Sequence, residues 1–302
     1  MGVQFRKNDF EGTIKSVYYL ILKKLNVSPK RPKKSVEKKE IVDFRSAQVS
    51  QLEADILQEI EVLTNKQFTK VNEVKYDTKM GFSTENQRII GIGLYKCDIS
   101  TLPESISDLK SLQRLYLSDN KFTTLPESIT KLESLQTLNL SWNKLSTLPE
   151  SIGNLKSLQI LGLSGNKLST LPESITKLES LQMLNLSWNK LSTLPESIGN
   201  LKSLQILGLS GNKLSTLPES ITKIESLQIL GLNGNKLSTL PESITKIESL
   251  QILDLGSNKL STLPESINNL KSLKELWLGD NDLTTLPESI KTLEKRGVAI
   301  YK

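Results

Sequence analysis

Residues 135–157 read LQTLNLSWNKLSTLPESIGNLKS, and this 23-residue stretch decides the fold. Apolar residues occupy its positions 1, 4, 6, 11, 14, 18 and 21, asparagine occupies position 9 and proline position 15. The chain from residue 89 to residue 295 can be written as nine such units of 23 residues, with no slip in register. A fixed repeat of this length predicts a solenoid, in which each unit forms one coil and neighbouring coils share a core.

The first half of each unit predicts a short strand. Positions 4 and 6 point to one side of that strand, while positions 3, 5 and 7 point to the other. Ile152 and Leu155, at positions 18 and 21, suit a turn of 3-10 or α-helix on the return path, and Pro149 suits its start. One unit cannot bury its leucines alone, so we expect parallel strands stacked side by side.

Position 9 lies where the strand must turn inward. We expect its asparagine amide to satisfy backbone groups that the turn leaves unpaired in adjacent coils. The first unit carries Cys97 there. This cysteine is either a reactive thiol or a small buried replacement for asparagine, and burial is the favoured interpretation.

The pattern LxxLxLxxNxLxxLP, present as LQTLNLSWNKLSTLP at 135–149, resembles the leucine-rich-repeat superfamily. The 23-residue length with xxLPxxIxxLxx is similar to the short-repeat class shared by Ras-binding, plant intracellular and prokaryotic proteins. The resemblance covers 207 of 302 residues. It implies an α/β solenoid, a horseshoe with parallel strands on the concave face, short 3-10 or helical turns on the convex face and a helical N-terminal cap. It further implies a protein-binding scaffold, with a small GTPase or another intracellular signalling complex as its partner.

Four regions follow from the sequence. Residues 1–46 form a basic segment, with a short amphipathic helix over 13–25 that either docks on the solenoid or is tethered, and a linker over 27–40. Residues 47–88 form an N-terminal cap, residues 89–295 the nine repeats and residues 296–302 a C-terminal cap with a final strand. Within the N-terminal cap we expect a helix over 47–65 and a small hairpin that turns near Glu85 and leads into Ile89. The core-facing residues expected on that helix are Leu52, Ile56, Ile60 and Leu63.

The composition argues against an enzyme. Histidine is absent and Cys97 is the one cysteine, so the residues most used for acid/base catalysis, nucleophilic dyads and zinc ligation are missing. We therefore expect no catalytic, cofactor-binding or metal site. A single cysteine also favours a reducing compartment, and no apolar run reaches the roughly 20 residues of a membrane span, so we expect a cytoplasmic monomer.

An alternative function rests on charge. Residues 1–88 carry 17 Lys and Arg against 12 Asp and Glu, whereas the remainder is nearly balanced. A basic N-terminal segment can attract nucleic acid or an anionic membrane, although a solvated linker is the commoner case. The residues that would do so are Lys30, Arg31, Lys33, Lys34, Lys38 and Lys39.

The concave face is the principal candidate site. A tryptophan at position 8, flanked by serine and asparagine, has little core to enter and favours binding. The isoleucine row at position 3 suits either a partner or simple cross-strand pairing, and the lysines at position 10 either steer an acidic partner or form a solvated edge. The candidate partner-binding residues are Tyr116, Asn139, Trp142, Ile160, Met183, Asn185, Trp188, Ile206, Ile229, Ile252, Asp254 and Trp277.

Overall fold

A solenoid of stacked coils is seen in the computed structural model, which describes residues 40–302. Each coil contributes one short strand to a 12-stranded sheet in which the strands follow chain order. All neighbouring pairs are parallel except one antiparallel pair, Gly81–Glu85 with Arg88–Gly93, near the N-terminal end. The strands of this sheet are β3 (Thr69–Lys70), β4 (Gly81–Glu85), β5 (Arg88–Gly93), β6 (Arg114–Tyr116), β7 (Thr137–Asn139), β8 (Ile160–Gly162), β9 (Met183–Asn185), β10 (Ile206–Gly208), β11 (Ile229–Gly231), β12 (Ile252–Asp254), β13 (Glu275–Trp277) and β14 (Ala299–Tyr301).

The return path of each coil is a 3-10 helix that begins directly after the repeat proline. Pro149 precedes one of them, and its carbonyl accepts a hydrogen bond from the backbone N–H of Ile152 at 3.1 Å. In the last coil an α-helix, α2 (Ser289–Lys295), takes this place. The 3-10 helices span Glu104–Asp108, Glu127–Lys131, Glu150–Asn154, Glu173–Lys177, Glu196–Asn200, Glu219–Lys223, Glu242–Lys246 and Glu265–Asn269.

The core lies between the strands and the 3-10 helices and runs through the whole stack. In the coil 181–203, for example, Leu184, Leu186 and Leu191 are fully buried together with Ile198 of the return path. Each coil buries its leucines against those of the next, and the predicted solenoid is confirmed.

The asparagines at position 9 form a continuous hydrogen-bonded ladder inside the strand-to-loop turn. Asn189 is 7% exposed, and its Nδ2 donates to the carbonyls of Leu163 and Leu186, both at 2.9 Å. Its Oδ1 accepts the backbone N–H of Leu168 at 3.0 Å. The amide therefore satisfies groups in its own coil and in the preceding coil, as the sequence predicts.

The N-terminal cap differs from the prediction. Ala47–Ser50 is not helical but forms a strand, β2, that pairs antiparallel with β1 (Ile41–Phe44). Arg45 and Ser46 make the turn at positive φ, the geometry of a tight hairpin, without the Asn-Gly signal that usually marks it. The boundary expected between residues 46 and 47 therefore falls inside a hairpin.

The cap helix α1 spans Gln51–Thr64, four residues shorter at its start than expected. Ser50 caps it, because its Oγ accepts the backbone N–H of Glu53 at 3.4 Å, and Asn65 ends it in the left-handed conformation. The buried face contains Ile56 and Ile60 as predicted. Leu52 and Leu63, however, are exposed, and Ala54 and Leu57 are buried in their place, because the helix packs against β1 and β2.

The sheet extends beyond the repeats at both ends. The hairpin of β4 and β5 turns at Asn86 and Gln87 and leads into the first repeat, and β14 continues the sheet beside β13, so both predictions are confirmed. The amphipathic helix over 13–25 and the basic linker lie outside the described residues. Between residues 40 and 302, no helix has the length and apolar character to cross a membrane.

Candidate functional site

The concave face consists of the outward side chains of the strands and of the turn that follows them. Four of its twelve predicted contact residues cannot meet a partner directly, because their side chains are buried: Tyr116, Asn139, Ile160 and Met183. Ile160 and Met183 pair across the adjacent strands β8 and β9, so cross-strand pairing accounts for this part of the position-3 row. Tyr116 and Asn139 belong to the position-5 row. The prediction that these four residues contact a partner directly is therefore wrong.

The other candidates retain access to solvent. Ile206, Ile229 and Ile252 are half-buried and adjacent, in strands β10, β11 and β12. They form an apolar edge three coils wide in the C-terminal half of the face. Also half-buried are Asn185, Asp254 and Trp277.

Trp142 and Trp188 are the most exposed large hydrophobic side chains of this face, at 52% and 46%. They lie two coils apart, which places them about 10 Å from each other at the usual strand spacing. Both have a positive φ, 59° and 58°. A bulky residue in this left-handed region carries strain of about 1–2 kcal/mol. Other coils place glycine, aspartate, serine or, in the first coil, lysine at the same position.

Each exposed indole lies over a glycine of the next coil. A Cβ added at Gly165 would be 2.5 Å from Cε3 of Trp142, and a Cβ added at Gly211 would be 2.9 Å from Cε3 of Trp188. A side chain at either glycine therefore fits only if the indole above it shifts. The sequence does carry a signal for this contact, which is missed when positions are considered singly. At position 8, tryptophan and glycine alternate through residues 142, 165, 188 and 211.

The asparagines at position 5 cover glycines in the same way. A Cβ at Gly162 would be 2.8 Å from Oδ1 of Asn139, and one at Gly208 would be 3.0 Å from Oδ1 of Asn185. The same Oδ1 of Asn185 accepts the backbone N–H of Ser187 at 3.0 Å. The pair of units that recurs every 46 residues is therefore a structural pair, in which large side chains of one coil lie over glycines of the next.

Asp254 is the acidic member of the position-5 row. Burial raises the pKa of its carboxyl group, although hydrogen bonds from the backbone N–H of Gly256 and from Nδ2 of Asn233 act in the opposite direction. Because the folded state disfavours the charged form, Asp254 supports stability below its unfolded pKa and loses that contribution as the pH rises through its folded pKa.

We therefore expect Asp254→Asn to be more stable than the wild type at pH 7 and close to it at about pH 3.5, below the usual aspartate pKa. Asparagine already occupies this position in β7 and β9, so the variant should fold. Urea denaturation at the two pH values measures the difference. An equal stability gap at both would mean that the carboxyl charge is not the cause.

Trp277 closes the C-terminal end of the face. Its ring stacks on Tyr301 of β14 with centroids 3.7 Å apart, and its Nε1 donates to Oε2 of Glu275 at 3.2 Å. Much of this indole is therefore engaged within the chain, which makes Trp277 a weaker contact candidate than Trp142 or Trp188.

The reactive-thiol interpretation of Cys97 has no support in its surroundings. The residue is 3% exposed, its backbone N–H donates to Oδ1 of Asn120 at 3.0 Å, and burial raises the pKa of its thiol. A buried thiol with a raised pKa is a poor nucleophile. In the part of the chain that the structure describes, no group of three or more histidine, cysteine, aspartate or glutamate side chains could hold a metal ion.

Comparisons with known proteins agree with this architecture. Family models match the chain as a leucine-rich repeat region at residues 91–159 and 134–208, as a leucine rich repeat at 192–237 and as leucine rich repeats in two copies at 248–291. No curated protein matches the chain.

Three similar solved structures place the fold among known proteins. A leucine-rich-repeat protein of Leptospira interrogans is 44% identical with a TM-score of 0.67, over 70% of this chain and 53% of that one. The Arabidopsis receptor kinase HAESA, solved with a peptide hormone and a co-receptor, is 32% identical with a TM-score of 0.63, over 72% of this chain and 39% of that one. An internalin of Listeria monocytogenes, at 19% identity and a TM-score of 0.62 over 80% of this chain and 69% of that one, shares the fold.

The chain thus spans about half the length of the Leptospira protein and less of the receptor kinase. The repeat models, the 12-stranded sheet and the asparagine ladder all describe one architecture. The chain belongs to the leucine-rich-repeat superfamily.

Proposed function

We propose that the chain is a protein-interaction module that binds its partner on the concave face. The observation that carries this proposal is the pair Trp142 and Trp188, which are half exposed although each adopts a strained backbone conformation. Strain of this kind persists where the surroundings or a function require it, and tryptophan is enriched among the residues that dominate binding energies.

The architecture supports the same proposal. Leucine-rich repeats typically serve as non-enzymatic interaction scaffolds, and the similar receptor kinase HAESA was solved with a peptide hormone and a co-receptor. Half-buried Ile206, Ile229 and Ile252 extend the apolar surface beyond Trp188. An exposed apolar surface of this kind usually marks an interaction site.

Photocrosslinking tests the proposal. With benzoylphenylalanine at Trp188, we expect ultraviolet light to attach a discrete partner protein in source cells. The same residue at Lys177, which is exposed on the convex side, is the matched control and should capture that protein at about background level. Equal capture at the two positions, or capture only at Lys177, would place the binding surface elsewhere.

We infer a role in intracellular signalling, with a small GTPase or a signalling complex as the partner, from the repeat class. The single, buried cysteine supports a cytoplasmic location, and caps at both ends of the stack support a monomer.

The alternative of nucleic-acid or anionic-membrane binding is favoured by one observation, the excess of 11 Lys and Arg over 3 Asp and Glu in residues 1–39. The six residues that would carry it, Lys30 to Lys39, lie outside the described residues. It stays a prediction, and the basic segment enters the experiment below as a control.

A further inference from the structure

Six lysines at position 10 form a regular row beside the two exposed tryptophans. Their backbone N–H groups each donate to the position-11 carbonyl of the preceding coil at 2.8 to 2.9 Å, as Lys190 does to Leu168 and Lys213 to Leu191. Neighbouring members therefore have Cα atoms about 5 Å apart, at the strand spacing. We call these residues the lysine row: Lys144, Lys167, Lys190, Lys213, Lys236 and Lys259.

Within residues 40–302, no acidic side chain pairs with the lysine row. Over residues 40–302, no acidic side chain lies within 4 Å of the Nζ of any of the six, and all six residues are exposed. Lys121, one coil before the row, differs because its Nζ pairs with Asp98 at 3.2 Å. A line of like charges at this spacing repels itself and attracts an extended anionic partner.

Next to the lysine row, the coil 204–226 has no large side chain at position 8, unlike the coils 135–157 and 181–203. Trp142 and Trp188 lie over Gly165 and Gly211, but the coil 204–226 carries glycine where they carry tryptophan. Among residues 40–302, no side chain therefore lies over Gly234. A Cβ at Gly234 would find only backbone atoms of Gly211, at 3.5 and 3.6 Å. The surface over Gly234, next to Trp188 and Lys236, is therefore open, whereas an indole covers the equivalent glycine at two other places in the chain. We call this open surface the seat.

We propose that the partner presents an acidic, extended polypeptide segment that carries an aromatic side chain. Its carboxylates face Lys190, Lys213 and Lys236, and its ring rests on Gly234 beside Trp188. This inference rests on the proposed function and specifies the partner. A nucleic acid is also anionic and aromatic, but the half-buried Ile206, Ile229 and Ile252 on the same face suit a polypeptide better.

The test uses the full chain and fluorescence anisotropy with three labelled probes. The first is a ten-residue peptide of nine glutamates around one phenylalanine, the second has serine in place of phenylalanine, and the third is a ten-residue oligouridylate. We expect the phenylalanine peptide to bind tightest, and the serine peptide to bind about threefold to tenfold more weakly. The affinity of the phenylalanine peptide should fall as the salt concentration is raised, because the contacts are between exposed charges.

Charge-matched variants locate the binding. The triple variant Lys190→Glu, Lys213→Glu, Lys236→Glu should lose at least about tenfold in affinity for the phenylalanine peptide. A convex-side triple variant, Lys131→Glu, Lys177→Glu, Lys246→Glu, has the same net charge and should lose less than about threefold. Gly234→Asn fills the seat with a residue that tolerates positive φ, and it should weaken the phenylalanine peptide but not the serine peptide.

Three outcomes would overturn the inference: equal losses in the two triple variants, tighter binding of oligouridylate, or loss of binding when Lys30, Arg31, Lys33 and Lys34 are changed to glutamine. If no acidic peptide binds while crosslinking at Trp188 still captures the partner, this inference fails and the proposed function stands. If crosslinking at Trp188 also fails, both fail.

Discussion

Replacing Asn189 with alanine will lower the free energy of unfolding by roughly 3–5 kcal/mol. The substitution leaves the buried backbone N–H of Leu168 without a partner. It also removes one of the two amide donors from each of the carbonyls of Leu163 and Leu186, which keep only Asn166 and Asn212 respectively. The unsatisfied N–H costs about 1–3 kcal/mol, and each of the two lost hydrogen bonds to a carbonyl costs about 0.5–1.5 kcal/mol. Equilibrium urea denaturation of the full chain, followed by circular dichroism, measures the loss.

Cys97→Ala is the natural control for this prediction. Cys97 occupies the same ladder position in the first coil, but its side chain makes one long hydrogen bond, 3.5 Å from Sγ to the carbonyl of Tyr95, and bridges no two coils in the way that asparagine does. The loss should be about 1 kcal/mol, the cost of removing one small buried group. If Asn189→Ala cost no more than Cys97→Ala, the ladder would contribute little to the stack.

Gly165→Ala is the second substitution with a large expected effect, a loss of roughly 3 kcal/mol. The new methyl group must occupy a left-handed backbone position at φ 69° and would collide with Cε3 of Trp142. Gly234→Ala is the matched control because its φ is 68° but no indole lies over it. It should cost only about 1 kcal/mol, the price of the backbone conformation alone.

A double variant separates the two causes. In Trp142→Gly, the strained backbone is relieved and the indole is absent, so adding Gly165→Ala to it should cost about 1 kcal/mol, as at Gly234. The coupling between the two sites is then about 2 kcal/mol. Thermal or urea denaturation of the four proteins gives this value, and strict additivity would mean that the ring does not lie over Gly165.

The sequence predicts the repeat architecture well because its physical cause is local and periodic. Leucines two and five residues apart can be buried only if coils stack, so one unit predicts the solenoid. The asparagine in the turn after each strand can hydrogen-bond the backbone groups that the turn leaves unpaired, so the same unit predicts the ladder. The N-terminal cap lacks such redundancy. The hairpin of Ile41–Phe44 with Ala47–Ser50 turns at Arg45 and Ser46, which give no turn signal.

The candidate site is predictable only in part. The exposure of Trp142 and Trp188 follows from their polar neighbours, but the burial of Ile160 and Met183 depends on what the adjacent coils place beside them. Alternation along a strand tells which side a residue faces, not whether its neighbours shield it. The seat over Gly234 becomes visible only when glycines are compared with the side chains of the preceding coil.

Two accessible indoles share one surface with a lysine row that has no acidic partner within residues 40–302. Tryptophan fluorescence quenching in the Trp277→Phe variant, which leaves Trp142 and Trp188 as the sole reporters, tests this arrangement directly. Relative to their quenching of free N-acetyltryptophanamide, iodide should quench more strongly than caesium at low ionic strength, and the two normalised values should converge as salt screens the lysines. Weak quenching by both ions, or stronger quenching by caesium, would contradict the account.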